Sequence, residues 1–417
     1  MTEFREVTRV TGRIGNLAQH RSFPVNASHN PYAPGAGAPP PELAGRDQIL
    51  ERAAVAIDRV RAGRHAKGML MLGLRGVGKT VLLDEIRRRA EASGNETILI
   101  EAPEGQSLPE KLVPQLRTIL LRLDRGERVN HVVREALRAL RSFASAFNVT
   151  AGGVEFGVDA LPGVADSGQL DLDLADVLNA AAEAARERGK ALVLMIDEVQ
   201  YLVRDDLGAL IVAAHRLTQR QLPFLFFGAG LPQLAGLVGD ARSYAERLFD
   251  YPPIGALGDL DARAALRAPA EREGVAFDEA ALDRIVRATQ GYPYFLQEWG
   301  KHVWNVAAGS PITVVDAEAA TALAVVELDE GFFRVRLDRL RPREKTYVRA
   351  MAQQGPGAHR SGEIADAMGV SVQSAAPIRS RLIAKGMIYS PAHGDTAFTV
   401  PMFDAFMRRT MPWPAEG

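Results

Sequence analysis

The sequence predicts an α/β domain, a parallel sheet with helices on both faces, followed by an all-helical unit and a helix-turn-helix with a two-stranded wing. Three observations carry this expectation. Short apolar runs alternate with amphipathic helical stretches up to about residue 255, the pattern of parallel strands joined by helical crossovers. One of those runs, Met69 to Leu72, leads straight into Gly73-Leu74-Arg75-Gly76-Val77-Gly78-Lys79-Thr80, which fits G-x-x-x-x-G-K-[ST] at every fixed position. Beyond Tyr251-Pro252-Pro253 the strand pattern stops and helical spacing takes over.

Residues 1–41 read as a flexible N-terminal arm. Pro24 to Pro41 holds six prolines among glycine and alanine, a composition that forms neither helix nor central strand, so ordered structure is expected from Glu42. Asp47 to Ala62 has helical spacing, with Ile49, Leu50, Ala53, Ile57 and Val60 on one side. After the glycine-rich loop, Val81 to Ala90 is a helix of good formers and Thr97 to Ile100 a second short strand. Leu108 to Arg141 is largely helical. Phe147 to Val158 alternates apolar and polar residues around Gly152-Gly153, which predicts an inserted hairpin near 147–158. Helix Gln169 to Arg188 feeds the most apolar strand, Ala191 to Ile196, and helix Leu207 to Gln219 precedes strand Pro223 to Phe227. Residues 42–255 thus form the α/β domain and 256–335 a helical lid, with helices at Asp259 to Glu273, Asp278 to Thr289, Pro293 to Val306 and Val315 to Leu328.

In residues 336–417, helix Glu344 to Gln353 is followed by a short helix capped by Ser361 and ended by Gly369. A third helix near Ser374 to Lys385 has Pro377 in its first turn, and Met387-Ile388-Tyr389 and Thr396 to Val400 make strands around His393-Gly394-Asp395. Arg334 to Arg409 holds 13 Lys/Arg against 6 Asp/Glu, although the chain as a whole carries a net charge of only −1. That excess points to an acidic partner. Arg379, Arg381 and Lys385 would decorate the third helix and suit DNA phosphates and guanine edges. The same fold also serves protein docking; the charge excess favours DNA.

Composition narrows the chemistry. The absence of cysteine excludes disulfides, thiolate metal sites and cysteine nucleophiles, and the eight histidines show no H-x-x-x-H spacing for zinc. No apolar stretch approaches a bilayer span and Met1 to Gly15 lacks the apolar core of a signal peptide, so no membrane partner and cytoplasmic residence are expected.

The loop from Gly73 to Thr80 needs these residues for a physical reason. Its backbone N–H groups, from Arg75, Gly76, Val77 and Gly78 into Val81, must approach phosphates at a helix N-terminus. Lys79 adds a point charge for the outer phosphates, and the Thr80 hydroxyl can ligate Mg²⁺. The second strong signal is Leu192 to Ile196 followed by Asp197-Glu198. Asp197 ends a buried strand on the ligand-binding edge of a parallel sheet and can hold Mg²⁺ beside Thr80. Glu198 can take a proton from an attacking water.

With these motifs in place the chain resembles the ATPase division in which an extra strand separates the phosphate loop from the acidic motif (the ASCE type of P-loop NTPase), especially the AAA+ and STAND classes. Glu42-Leu43-Ala44-Gly45-Arg46-Asp47 looks like the G-R-[DE] segment that opens such domains, which places Gly45 and Arg46 near the base. Gly291-Tyr292-Pro293 looks like the G-x-P motif of STAND and archaeal origin-recognition ATPases, which places Tyr292 and Pro293 in a lid over the nucleotide. The terminal helix-turn-helix matches those proteins in domain order. The resemblance implies an ATP/ADP- and Mg²⁺-binding switch, with nucleotide-dependent self-association among its options and Arg247 as an arginine reaching the γ-phosphate, from the same or a neighbouring subunit. AAA+ proteins usually carry a polar residue after the strand that here reads Phe226-Phe227-Gly228-Ala229-Gly230. This chain has none, which argues for slow hydrolysis. The alternative is a non-hydrolysing regulatory module whose winged helix contacts a protein.

Overall fold

A computed structural model describes residues 25–35, 37–102, 107–124, 131–149 and 156–413. The α/β domain runs α1 (Asp47–Arg61), β1 (Gly68–Leu72), α2 (Lys79–Ala92), β2 (Glu96–Glu101), α3 (Leu108–Asp124), α4 (His131–Ala146), α5 (Leu170–Glu187) and β3 (Leu192–Asp197). It continues with α6 (Arg204–Gln219), β4 (Phe224–Gly230), α7 (Leu234–Ala241), α8 (Ala245–Leu248) and β5 (Phe249–Asp250). The sheet order is β2-β3-β4-β1-β5 and every pairing is parallel. β4 therefore lies between the strand that enters the phosphate loop and the strand that ends in Asp197. All six residues of β3 are buried, as a strand covered on both faces requires.

The lid comprises α9 (Asp259–Arg272), α10 (Glu279–Thr289), α11 (Pro293–Val306) and α12 (Val314–Glu327). A π-helical turn over Leu328–Phe333 and α13 (Arg334–Asp338) continue α12 as a strut into the C-terminal unit. That unit is α14 (Pro342–Gln353), β6 (Ala358–Arg360), α15 (Ser361–Ala367), α16 (Val372–Ala384), β7 (Ile388–Tyr389), β8 (Asp395–Phe398) and α17 (Phe403–Thr410), with an antiparallel sheet of order β6-β8-β7. One apolar core runs unbroken from the α1/α2 face of the sheet through the lid into this unit, and a second fills the face under α3 to α6. No described helix is long and apolar enough to cross a membrane.

Several expectations change. The proline-rich segment is extended but not free: Tyr32 is 3% exposed, its ring lies 6.4 Å from Trp304, and Asn30 Nδ2 donates to the Lys301 carbonyl at 2.9 Å. Gly300 makes the room, since a Cβ there would stand 2.6 Å from the Tyr32 ring. Proline excludes helix and strand but not docking, so the folded body starts by Val25 rather than Glu42. The centre of the expected hairpin, 150–155, lies outside the described residues, and its described flanks are turn and bend. Ser361 does not cap α15. Its hydroxyl donates to the Gly394 carbonyl, and Glu363 accepts from the Arg360 N–H instead. Because α16 starts at Val372, Pro377 falls in its interior, not its first turn, and β6 joins the two expected strands.

Candidate nucleotide-binding site

The C-terminal ends of β1 and β3 deliver the two acidic and basic motifs to one cavity of about 400 Å³, within the range of small-ligand sites. Gly78, at φ 89°, lets the loop turn directly into α2, a conformation a side chain disfavours. Lys79 is buried at the start of α2, and its Nζ donates to the carbonyls of Gly73 (3.0 Å) and Leu74 (2.8 Å). Burial pushes its pKa down, opposed by the carboxylates of Glu198 and Asp197. The Thr80 hydroxyl donates to Asp197 Oδ2 at 2.5 Å, and Asp197 Oδ1 accepts the Glu198 N–H at 2.8 Å. Burial nevertheless raises the Asp197 pKa, against those two hydrogen bonds. A hydroxyl and a carboxylate in contact at the loop are hard oxygen donors suited to Mg²⁺, which keeps most of its waters and takes few protein ligands.

Glu198 adopts the left-handed conformation, φ 52°, which turns its carboxylate to the cavity edge. There it accepts a hydrogen bond from Gln200 Nε2. Gln200 Oε1 accepts from the Leu231 N–H at 3.0 Å, just past β4. A Cβ at Gly230 would stand 2.5 Å from that oxygen. The end of β4 therefore lacks a polar side chain of its own and makes space for one from the 3-10 turn that follows β3. Sequence reading missed Gln200 because the relevant proximity is between strands.

The lid and the opening segment close the cavity. Gly291 at φ 68° packs so that a Cβ would meet the Leu257 carbonyl at 2.4 Å. It leads into Tyr292, whose hydroxyl donates to the Arg75 carbonyl, while the Tyr294 N–H donates to the Gly76 carbonyl at 3.2 Å. Pro293 begins α11 and lines the cavity, as do Arg75, Gly76, Val77 and Val81. Gly45 turns the chain against Asp261 and is itself outside the lining. Arg46 lines the cavity and ties it together, donating to the carbonyls of Gly255 (2.7 Å) and Val77 (3.2 Å). Pro34, Gly35 and Ala38 form a further wall, which an arm assigned to solvent could not reveal. Arg247 is exposed on α8 and contributes nothing to this cavity; a short helix at the sheet edge does not reach the loop of its own chain.

The C-terminal unit touches the phosphate loop directly. The Arg75 N–H donates to the Thr399 carbonyl at 3.3 Å, and the Arg75 guanidinium donates to the Tyr201 hydroxyl beside Gly386. The basic residues of α16 are placed differently from expectation. Arg379 donates to Thr396 Oγ1 (2.8 Å), Ser390 Oγ (2.8 Å) and the Asp395 carbonyl (2.9 Å). Lys385 Nζ meets Glu344 Oε2 at 2.7 Å, and half-exposed Arg381 reaches Glu344 Oε1 at 3.5 Å. Glu344 is fully buried; burial favours its neutral form, but the Lys385 hydrogen bond and the Arg341 N–H outweigh that and hold its pKa low. Arg379 and Lys385 thus hold the unit together, whereas Arg381 stays exposed on the outward face of α16 with Gln373, Ala376, Pro377 and Ser380. Charge counting along the chain could not assign them inward.

Glu298, His302 and Glu327 also converge, but Lys301 Nζ stands 2.7 Å from Glu298 and 2.5 Å from Glu327, so their charge is met by an ammonium.

Sheet order, loop and acidic strand define the P-loop NTPase fold. Residues 42–227 match the AAA ATPase domain family, and residues 330–407 match a domain of unknown function (DUF8462). Comparison with curated proteins finds no match. Among solved structures, the Walker-type ATPase PABY2304 of Pyrococcus abyssi aligns over 89% of this chain and 98% of that one, at 17% identity and a TM-score of 0.56; the likeness is one of fold. The Thermotoga maritima RuvB Holliday junction branch migration motor (14% identity, 85% and 92% covered, TM-score 0.43) and the Aeropyrum pernix Orc1 protein in complex with DNA (15%, 88% and 93%, 0.44) align less well.

Proposed function

We propose that the chain is an ATP-dependent switch that binds Mg·ATP in this cavity, hydrolyses it slowly, and sets the position of a C-terminal winged helix. The observation that carries the reading is the Thr80–Asp197 contact at 2.5 Å beside buried Lys79. Bound Mg²⁺, held by Thr80 and Asp197, would supply charge neutralisation for the phosphate oxygens. Lys79 would leave the loop carbonyls for the outer phosphates, and Glu198 would accept the proton of the attacking water. Slow turnover fits a Glu198 carboxylate already engaged by Gln200 and a β4 end without a polar side chain. Coupling to the C-terminal unit follows from the Arg75–Thr399 bond, because the same loop residue faces the cavity and that unit.

DNA is one partner this reading offers the winged helix, supported by the positive C-terminal charge. The inward engagement of Arg379 and Lys385 favours the second reading, docking to a protein through an outward α16 face on which Arg381 is the exposed cation of the three. Steady-state ATP hydrolysis with and without duplex DNA, together with calorimetric nucleotide binding, tests the proposal. Lys79→Ala should abolish binding. Glu198→Gln should keep it and lose turnover by about a hundredfold or more. Unchanged affinity in Lys79→Ala would sink the site, and absence of a mobility shift at low salt would leave the protein-docking reading.

A further inference from the structure

The cavity contains a cation that neither the glycine-rich loop nor the acidic strand explains. Arg336, on α13, lines it together with Arg75, Gly76, Lys79 and Thr80. Its guanidinium lies 3.7 Å over the Phe332 ring, and Nη1 donates to the Phe332 carbonyl at 2.7 Å. Phe332 in turn stacks on Tyr294 with ring centres 4.9 Å apart. Among the described residues no carboxylate forms an ion pair with Arg336, and the nearby charges that bear on it, Arg75 and Arg339, are both positive. Burial, and then the charge of Arg75, push its pKa down to about 10. Arg75 Nε, also buried, has no hydrogen-bond partner. Two partly buried guanidiniums lining one cavity repel each other until an anion shares their N–H donors. Of the charged side chains lining the cavity, four are cations (Arg46, Arg75, Lys79, Arg336) and two are carboxylates (Glu42, Glu198).

We propose that Arg336 is a ligand of the terminal phosphate of a nucleoside triphosphate, with Arg75 beside it, an inference that rests on the nucleotide-binding reading above. Its position on the strut gives the contact a consequence. Phe333, three residues earlier, lies 5.8 Å from Phe403 and stacks at 5.3 Å on Phe406 of α17, and Asp329 pairs with Arg409 at 2.7 Å. The strut is thus packed into the C-terminal unit. A triphosphate engages it, and a diphosphate, shorter by one anion, leaves Arg336 without its ligand.

Titration calorimetry on the full chain with Mg²⁺ and either ADP or a non-hydrolysable ATP analogue tests this in wild type, Arg336→Ala and Arg336→Met. The methionine keeps an apolar stem over Phe332. Loss of a charge-assisted contact should lower analogue affinity by about tenfold or more in both variants and leave ADP affinity within about twofold. Retained ADP binding also certifies the fold of each variant. Equal losses for the two nucleotides, or undiminished analogue binding, would overturn the assignment while leaving the nucleotide site intact. A wild-type chain that binds neither nucleotide would overturn both readings.

Discussion

Asp197 shows how one side chain can serve a ligand against the interest of the fold. Its carboxyl is buried, and burial raises its pKa despite hydrogen bonds from Thr80 and the Glu198 N–H. The folded state therefore holds its proton more tightly than the unfolded state. Stability from this group is greatest at low pH and falls as pH rises from the ordinary carboxylate value through the raised folded one. Asp197→Asn cannot titrate, and its amide can still accept the Glu198 N–H and donate to Thr80. Denaturant midpoints measured in EDTA from about pH 4 to pH 8 should show that fall in wild type and not in the variant. At neutral pH the variant should be at least as stable, yet should lose Mg²⁺-dependent nucleotide binding.

At the scale of elements, the strand-loop-helix at β1 and α2 is specified locally, whereas the lid is held by close backbone approach. Gly291 combines φ 68° with a Cβ position 2.4 Å from the Leu257 carbonyl, and its own carbonyl accepts the Leu257 N–H at 2.8 Å. Gly291→Ala should cost about 1–3 kcal/mol in urea unfolding. It should also weaken nucleotide binding, because Tyr292 and Tyr294 hold the loop through the backbone of Arg75 and Gly76. Lost stability with unaltered affinity would detach the lid from the site.

Across the whole molecule a single apolar core joins α/β domain, lid and C-terminal unit, so nucleotide state can be felt at a distance without a separate hinge domain. Arg247 lies exposed and away from its own cavity, so a γ-phosphate role for it requires a neighbouring chain. Light scattering of the ADP- and ATP-analogue-bound protein should then show a larger mass with the analogue, lost in Arg247→Ala. An unchanged mass in both states would confine the switch to one chain and remove Arg247 from the site.

The chemistry of the loop and of Asp197-Glu198 was legible in the sequence because short-range requirements fix it: glycines where backbone must approach phosphate, a lysine and a threonine at a helix start, carboxylates ending an apolar strand. The alternation of strands and helices specified the parallel sheet for the same reason. Other features depended on residues far apart in the chain. Pro34, Gly35 and Ala38 became a cavity wall because Tyr32 docks beside Trp304. Gln200 reached Leu231 because β3 and β4 are neighbours, and Arg336 entered the cavity because Phe332 stacks on Tyr294. Arg379 and Lys385 had the same charge in either reading. Lys385 was turned inward by Glu344, buried on another helix, since a carboxylate removed from water draws cations to itself, and Arg379 by Thr396, Ser390 and the Asp395 carbonyl. The sequence by itself determined which chemistry the chain can perform at phosphate; packing alone decided which charges remain free to act on it.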